Sequence, residues 1–185
     1  IRGKFKLDVM LEKKIDPYQE SEKFWLPLDN AAKIFPAVIS DEFTAVFRIS
    51  AVLSDRVRIS KLMKAAEALA DRFPYFRMQL KKGFFWYYLE YVDHNLTVDL
   101  ETGPPCRRIP GGRPLFRILV VKNRLSVEFS HVLTDGSGAF EYFKSLLVLY
   151  FEYCGIESPR DYAYHRPGEA VPEEEFEDSY NRYFK

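Results

Sequence analysis

With 185 residues, and 27 basic side chains against 27 acidic ones, the chain is long enough for one domain with a real core and lacks the basic surplus of a nucleic-acid binder. Nearly half of it is apolar and rich in Phe and Tyr, yet the longest apolar run, Leu146 to Phe151, falls far short of the ~20 residues a membrane-crossing helix needs. Two widely spaced cysteines, Cys106 and Cys154, have no metal-type partners; they read as free thiols of a reduced, cytoplasmic protein, leaving open a single disulfide.

Residues 1–23 show no sustained periodicity and read as an arm or tag remnant. Asp8 and Glu12 stand where a secretory leader would be apolar, and a start without methionine reads as a fragment. Residues 24–36 hold a short helical turn, with Asp29 as its N-cap and Pro36 as its stop. Val, Phe, Ile and Thr over residues 43–53 predict a first strand. Ile59, Leu62, Ala66, Leu69 and Phe73 recur at helical spacing, and Pro74 ends that pattern.

Residues 75–80, the turn Lys81-Lys82-Gly83 and residues 84–91 predict a hairpin. Its second arm carries Phe84, Phe85, Trp86, Tyr87 and Tyr88, and aromatics on both faces predict a strand covered on both sides. A Pro- and Gly-rich stretch over 102–114 predicts a loop. A further hairpin, residues 115–121 and 125–130, flanks Lys122-Asn123, where Asn123 can accept a left-handed backbone. Ala139, Phe143, Leu146, Leu147, Tyr150 and Cys154 line one helical face, and Gly155 stands where a capping glycine belongs.

Beyond Gly155 the chain turns polar until Pro172-Glu173-Glu174-Glu175, where a proline and three acids signal a helix start. No repeat or low-complexity tract interrupts this order. It predicts an α+β two-layer sandwich, a mixed or antiparallel sheet with helices on one face, over residues 24–156. Residues 157–185 then form a linker or helix leading out.

The stretch Leu125-Ser-Val-Glu-Phe-Ser-His131-Val-Leu-Thr-Asp135-Gly136 holds the chemistry, if there is any. Leu125, Val127, Phe129 and His131 alternate with Ser126, Glu128 and Ser130, so a period of two puts the imidazole on the apolar, inward face. Two readings stay open. In one, His131 is a satisfied core histidine, Asp135 caps the next helix and Gly136 serves the turn. In the other, His131 is a general base on a hydroxyl or amine, since an imidazole titrates near neutral pH and needs no separate nucleophile. Asp135 would then brace the loop by pairing with a basic residue, with Arg48, Arg77 and Arg117 as candidates. Ser130 faces away from His131, which argues against a catalytic Ser-His pair.

Other candidates carry less. His94, beside Asp93, and His165, in the polar tail, read as surface histidines. No spacing of His, Cys, Asp or Glu fits a metal site. Gly136-Ser137-Gly138 lacks the rest of a phosphate loop and reads as easing the helix start.

Glu128-Phe-Ser-His131-Val-Leu-Thr-Asp135-Gly136-Ser-Gly138-Ala, followed by an aromatic-rich helix, resembles the HxxxDG site of CoA-dependent acyltransferases of the chloramphenicol acetyltransferase-like fold, a superfamily that includes condensation domains. Arg72-Phe-Pro-Tyr-Phe76, Gly83-Phe-Phe-Trp-Tyr-Tyr88 and Trp25-Leu-Pro-Leu-Asp-Asn-Ala-Ala32 resemble its alcohol acetyltransferase branch more narrowly. Glu177-Asp-Ser-Tyr180 resembles the stretch leading out of that branch's first domain.

The resemblance implies direct acyl transfer from acyl-CoA, a co-substrate rather than a resident cofactor, to a small alcohol or amine acceptor. His131 is then the base, Asp135 a structural brace in a salt bridge, and Gly136 the residue that keeps space for the substrate channel; no CoA-binding residue is assigned. It also implies a second half-domain, in the same chain or another subunit, because the family's second motif, Asp-Phe-Gly-Trp-Gly, has no counterpart here. By this reading the fragment is inert alone. Two alternatives remain: a non-catalytic binding domain that keeps the fold, and condensation-like transfer with carrier proteins. Ser130, standing where many relatives have a first histidine, weighs against the latter.

Overall fold

The computed structural model describes residues 25–93, 96–157, 163–172 and Glu175. The arm at residues 1–23, the His94 turn, the Glu177-Asp-Ser-Tyr180 stretch and most of the helix signalled at Pro172 lie outside the described residues.

The described residues begin with strand β1 (Trp25–Pro27), a 3-10 turn (Ala32–Ile34) and a short helix α1 (Phe35–Val38). Asp29 does cap this turn, its Oδ1 accepting from the Ala32 N–H at 2.6 Å. Pro36 does not stop it: the residue sits in the first turn of α1, where a missing N–H breaks no helical bond. Strand β2 (Val46–Val52) and helix α2 (Ile59–Ala68) follow. Leu62, Ala66, Leu69 and Phe73 of the stripe are buried and Ile59 at its start is exposed, but the helix ends at Ala68, and Pro74 opens a separate 3-10 turn (Pro74–Arg77) instead of closing α2.

The first hairpin is β3 (Met78–Lys82) and β4 (Tyr87–Tyr91), joined by Gly83 to Trp86. The aromatic run is therefore split. Leu89 packs inward with Tyr87 and Tyr91, whereas Phe84, Phe85 and Trp86 stand at the exposed tip. The strand expected to be covered on both faces is a shorter strand with an uncovered end.

Strand β5 (Val98–Leu100), which the sequence did not announce, lies parallel to β6 (Phe116–Val121), and β6 turns back into β7 (Arg124–Ser130). In that turn Lys122, not Asn123, takes the left-handed backbone, with φ of 53°. The Asn123 side chain instead donates to the Leu53 carbonyl at 2.7 Å. Helix α3 (Gly136–Tyr153) completes the domain. It ends as expected: Gly155 has φ of 84°, its N–H donates to the Glu152 carbonyl, and that of Ile156 donates to Phe151.

The strands form an antiparallel three-stranded sheet, β1-β4-β3, and a mixed four-stranded sheet, β2-β7-β6-β5. Helices α2 and α3 pack together over one face of the larger sheet, giving the α+β two-layer arrangement. Alternation decides which side chains meet them. Leu125, Val127 and Phe129 of β7 and Phe116, Ile118 and Val120 of β6 point into this core, where Phe73, Phe76, Phe116, Phe129 and Tyr142 form a network of ring contacts, edge-on or tilted except for the stacked Phe116–Phe129 pair. Ring pairs of this kind add about 0.5–1.5 kcal/mol each beyond the area they bury.

A smaller cluster, centred on Leu28, Met78, Leu89, Leu115 and Val132, lies beneath the three-stranded sheet. The tail returns to the domain at His165, whose backbone N–H donates to Ser145 Oγ (2.9 Å) and whose ring accepts from the buried Arg72 guanidinium (2.8 Å). His165 is thus a half-buried partner of Arg72 and not a free surface histidine. The same guanidinium grips Glu175 with two bonds, at 2.9 and 2.6 Å.

Candidate active site

Strand β7 ends at Ser130 and the chain turns at once. The Ser130 carbonyl accepts from the Leu133 and Thr134 N–H groups, and its Oγ from that of Val132 (3.3 Å). Val132 drops into the smaller apolar cluster, and Leu133 touches both clusters. The three residues between His131 and Asp135 therefore anchor the loop.

His131 is the first residue past the strand, which alters the expectation of an inward imidazole. Its backbone N–H donates to the Ala45 carbonyl at 2.8 Å, and Ala45 holds φ at 51°, a left-handed conformation few non-glycine residues adopt. The ring is half-buried between two aromatic side chains. Phe47 stacks on it with centroids 4.4 Å apart and planes at 26°, and Phe35 with centroids 5.3 Å apart and planes at 14°. Phe47 faces Phe129 across β2 and β7, so strand register aims it at the position just beyond the strand end. Phe35 and Phe47 escaped the sequence reading. No spacing links them to His131, although Phe47 shares a predicted strand with Arg48.

Asp135 caps α3, its carboxylate accepting from the Gly138 N–H at 2.9 Å. It braces the loop this way and not through a salt bridge, since none of the three candidate arginines pairs with it among the described residues. Arg77 donates to the Tyr91 hydroxyl (2.9 Å). Arg48 and Arg117 both go to Glu128, whose oxygens accept from Arg48 Nε (2.8 Å), Arg117 Nε (2.6 Å) and the Cys106 N–H (2.7 Å). The reason is register: Glu128 lies directly between Arg48 and Arg117 across three strands. Burial pushes this carboxyl up, but the Cys106 N–H and the two guanidiniums outweigh it and hold the group below the usual carboxylate range.

Gly136 is exposed at the first position of α3. Among the described residues a Cβ there would meet nothing within 4 Å, and φ is not left-handed, so neither the turn nor the packing of these residues requires glycine. At Gly138 a Cβ would collide with Thr134 Oγ1, so the second glycine is the one the loop itself needs. Cys106 and Cys154 are free, and among the described residues no group of His, Cys, Asp and Glu could hold a metal.

The architecture that presents His131 is similar to that of several solved structures. A variant of the starter condensation domain of rhizomide synthetase RzmA, solved with C8-CoA, matches 79% of this chain and 38% of its own at 14% identity, with a TM-score of 0.57. Polyketide synthase associated protein 5 from Mycobacterium tuberculosis matches 77% of this chain and 35% of its own at 14% identity and 0.58. The tallysomycin biosynthesis protein TlmII matches 76% and 41% at 16% identity and 0.53.

The chain has a condensation-domain-like fold. At such identities the likeness is one of fold, and the condensation-like chain spans about two fifths of each of these proteins. A further RzmA variant was solved with both C8-CoA and Leu-SNAC. No protein-family model and no curated protein matches the sequence.

Proposed function

We propose that this domain is the first half of a CoA-dependent acyltransferase in which His131 is the general base. The observation that carries the reading is the placement of His131, presented past the end of β7 between Phe35 and Phe47 and fixed by its bond to Ala45. Solved proteins of this fold that hold C8-CoA support an acyl thioester as the donor. A ring nitrogen of His131 takes the proton of an acceptor hydroxyl as the oxygen attacks the thioester carbonyl carbon. The C–S bond then breaks, and the departing CoA thiolate recovers that proton. No acyl-enzyme forms.

Asp135 holds the first turn of α3 against the loop, and the open space at Gly136 is the side from which substrate reaches the imidazole. A second half-domain supplies the rest of the CoA site. The acceptor is a small alcohol, in line with the sequence resemblance, and the donor carries a short acyl group such as acetyl.

Thiol release from acetyl-CoA, measured with a panel of alcohols and amines on a protein joining this half to its second half, tests the assignment. Release that depends on an alcohol and disappears in His131→Ala is expected. Equal turnover in that variant overturns the base. Folded protein with neither transfer nor calorimetric CoA binding would instead make this a non-catalytic interaction domain.

A further inference from the structure

We propose that the β3–β4 hairpin is a membrane-surface anchor, inserting Phe84, Phe85 and Trp86 into the interface of an anionic lipid bilayer. The hairpin's last pair is Lys82 with Tyr87, so four residues form the tip. Three of them are among the most exposed large apolar side chains described, Phe84 at 90%, Phe85 at 84% and Trp86 at 63%. A monomer that displays contiguous aromatics in this way presents an interaction site.

The display is built. The Gly83 N–H donates to the Trp86 carbonyl at 2.7 Å, closing the loop, and a Cβ at Gly83 would press on that same oxygen at 3.0 Å. Phe84 and Phe85 pack edge to face with centroids 4.8 Å apart, making one compact wedge. The Trp86 indole and the Tyr88 ring both lie 3.7 Å from the Gly83 Cβ position, and Tyr88 meets Trp25 edge-on at 6.3 Å. The aromatic band therefore runs from the tip onto the outer face of the three-stranded sheet.

Shape and chemistry favour a lipid surface as the occupant. The tip is convex, whereas a protein partner that takes up apolar side chains must offer them a groove. Phe suits the acyl boundary and Trp and Tyr the headgroup level, and lysines beside them meet anionic lipid. Lys81 and Lys82 end β3 just before the tip, and no acid occurs from there to Leu89. The next residue, Glu90, is spanned by Lys81 at 3.7 Å, which leaves Lys82, beside the Tyr87 ring, as the lysine nearest the tip. No helix among the described residues is long and apolar enough to cross a membrane, so the contact proposed is peripheral.

Both tryptophans of the chain, Trp25 and Trp86, belong to this band, so their fluorescence reports on it directly. The 185-residue chain is mixed with vesicles of phosphatidylcholine, with or without phosphatidylserine, and followed by tryptophan emission and flotation. The expected result is a blue shift and co-flotation, stronger with phosphatidylserine. A Phe84→Ser/Phe85→Ser double variant with an unchanged melting curve should partition at least about tenfold less, and Lys82→Glu should lose the phosphatidylserine preference. Absence of flotation on either vesicle overturns the proposal, as does flotation unchanged in the double variant. So does a dimer in sedimentation that the double variant dissociates, because the tip would then be an interface between copies.

Discussion

The Phe47 ring lies over the His131 imidazole, 4.4 Å between centroids and 26° from parallel, and so limits the directions in which that imidazole can point. Positioning of this kind is worth one to two orders of magnitude in rate when lost. Phe47→Leu, which keeps the apolar volume, should lower kcat/KM for acyl transfer by about tenfold to a hundredfold with little change in melting temperature. His131→Ala should lower it by about 10²–10⁴-fold. Steady-state kinetics on matched folded variants checks both, and equal rates in Phe47→Leu would remove the positioning role.

Gly136 offers a test that separates folding from the proposed function. Nothing among the described residues occupies the space beside it, and alanine is the better helix former by about 0.5–1 kcal/mol. Gly136→Ala should therefore melt at the same or a higher temperature while transfer falls, more steeply for bulky acceptors. A variant that keeps full rates with every acceptor would show that the channel does not pass this position.

Asp135 acts on the helix through a single cap bond to Gly138. Asp135→Ala should destabilise the domain by about 1 kcal/mol, and Asp135→Ser should restore most of it, because a hydroxyl can accept the same bond. Chemical denaturation of the three proteins makes the comparison. A partner arginine would give the opposite pattern, with Ser no better than Ala.

Glu128 is fully buried with two arginines on it. Glu128→Gln leaves Arg117 without its counter-charge and Arg48 with Glu101 alone, and should cost about 3–5 kcal/mol. The pH dependence has a definite sign. The folded-state value lies below the ordinary 4.5, so the stabilisation is full above about 4.5 and is lost as pH falls through the folded value. Wild-type melting temperature should drop in that acid range, and the Glu128→Gln curve should be flatter there.

Tyr142 is buried among Phe73, Phe76, Phe116 and Phe129, and its hydroxyl has no hydrogen-bond partner among the described residues. Burial raises its pKa, so the group stays neutral. An unpaired buried hydroxyl costs about 1–3 kcal/mol. Tyr142→Phe should accordingly be neutral or stabilising, seen as an unchanged or higher melting temperature, whereas a loss would reveal a bond through water.

Helix α3 and the β6–β7 hairpin were legible because each repeats its period long enough to be unmistakable: Ala139, Phe143, Leu146 and Tyr150 in one, Leu125, Val127 and Phe129 in the other. Strands β1 and β5 are three residues each, too short for any period to appear. Phe84, Phe85 and Trp86 matched a strand by residue type, but only the bond from Gly83 to Trp86 makes them a tip. Glu128 and Ser126 were assigned to the correct face, yet alternation names a face without saying what covers it. Here the Cys106 backbone and two arginines do.

The sequence by itself determined the α+β class, the core faces of α3 and β7, the capping glycine and the placement of His131 at a strand-to-helix corner, all of which depend on residues near one another along the chain. Tertiary structure alone decided what surrounds that histidine. Phe35, Ala45 and Phe47 reach it from 84 to 96 positions away, and Arg48 and Arg117 pass Asp135 by for Glu128 because strand register brings that carboxylate between them. Local periodicity carries no information about such distant neighbours; they are chosen by how the two sheets and the helices close over the two apolar clusters.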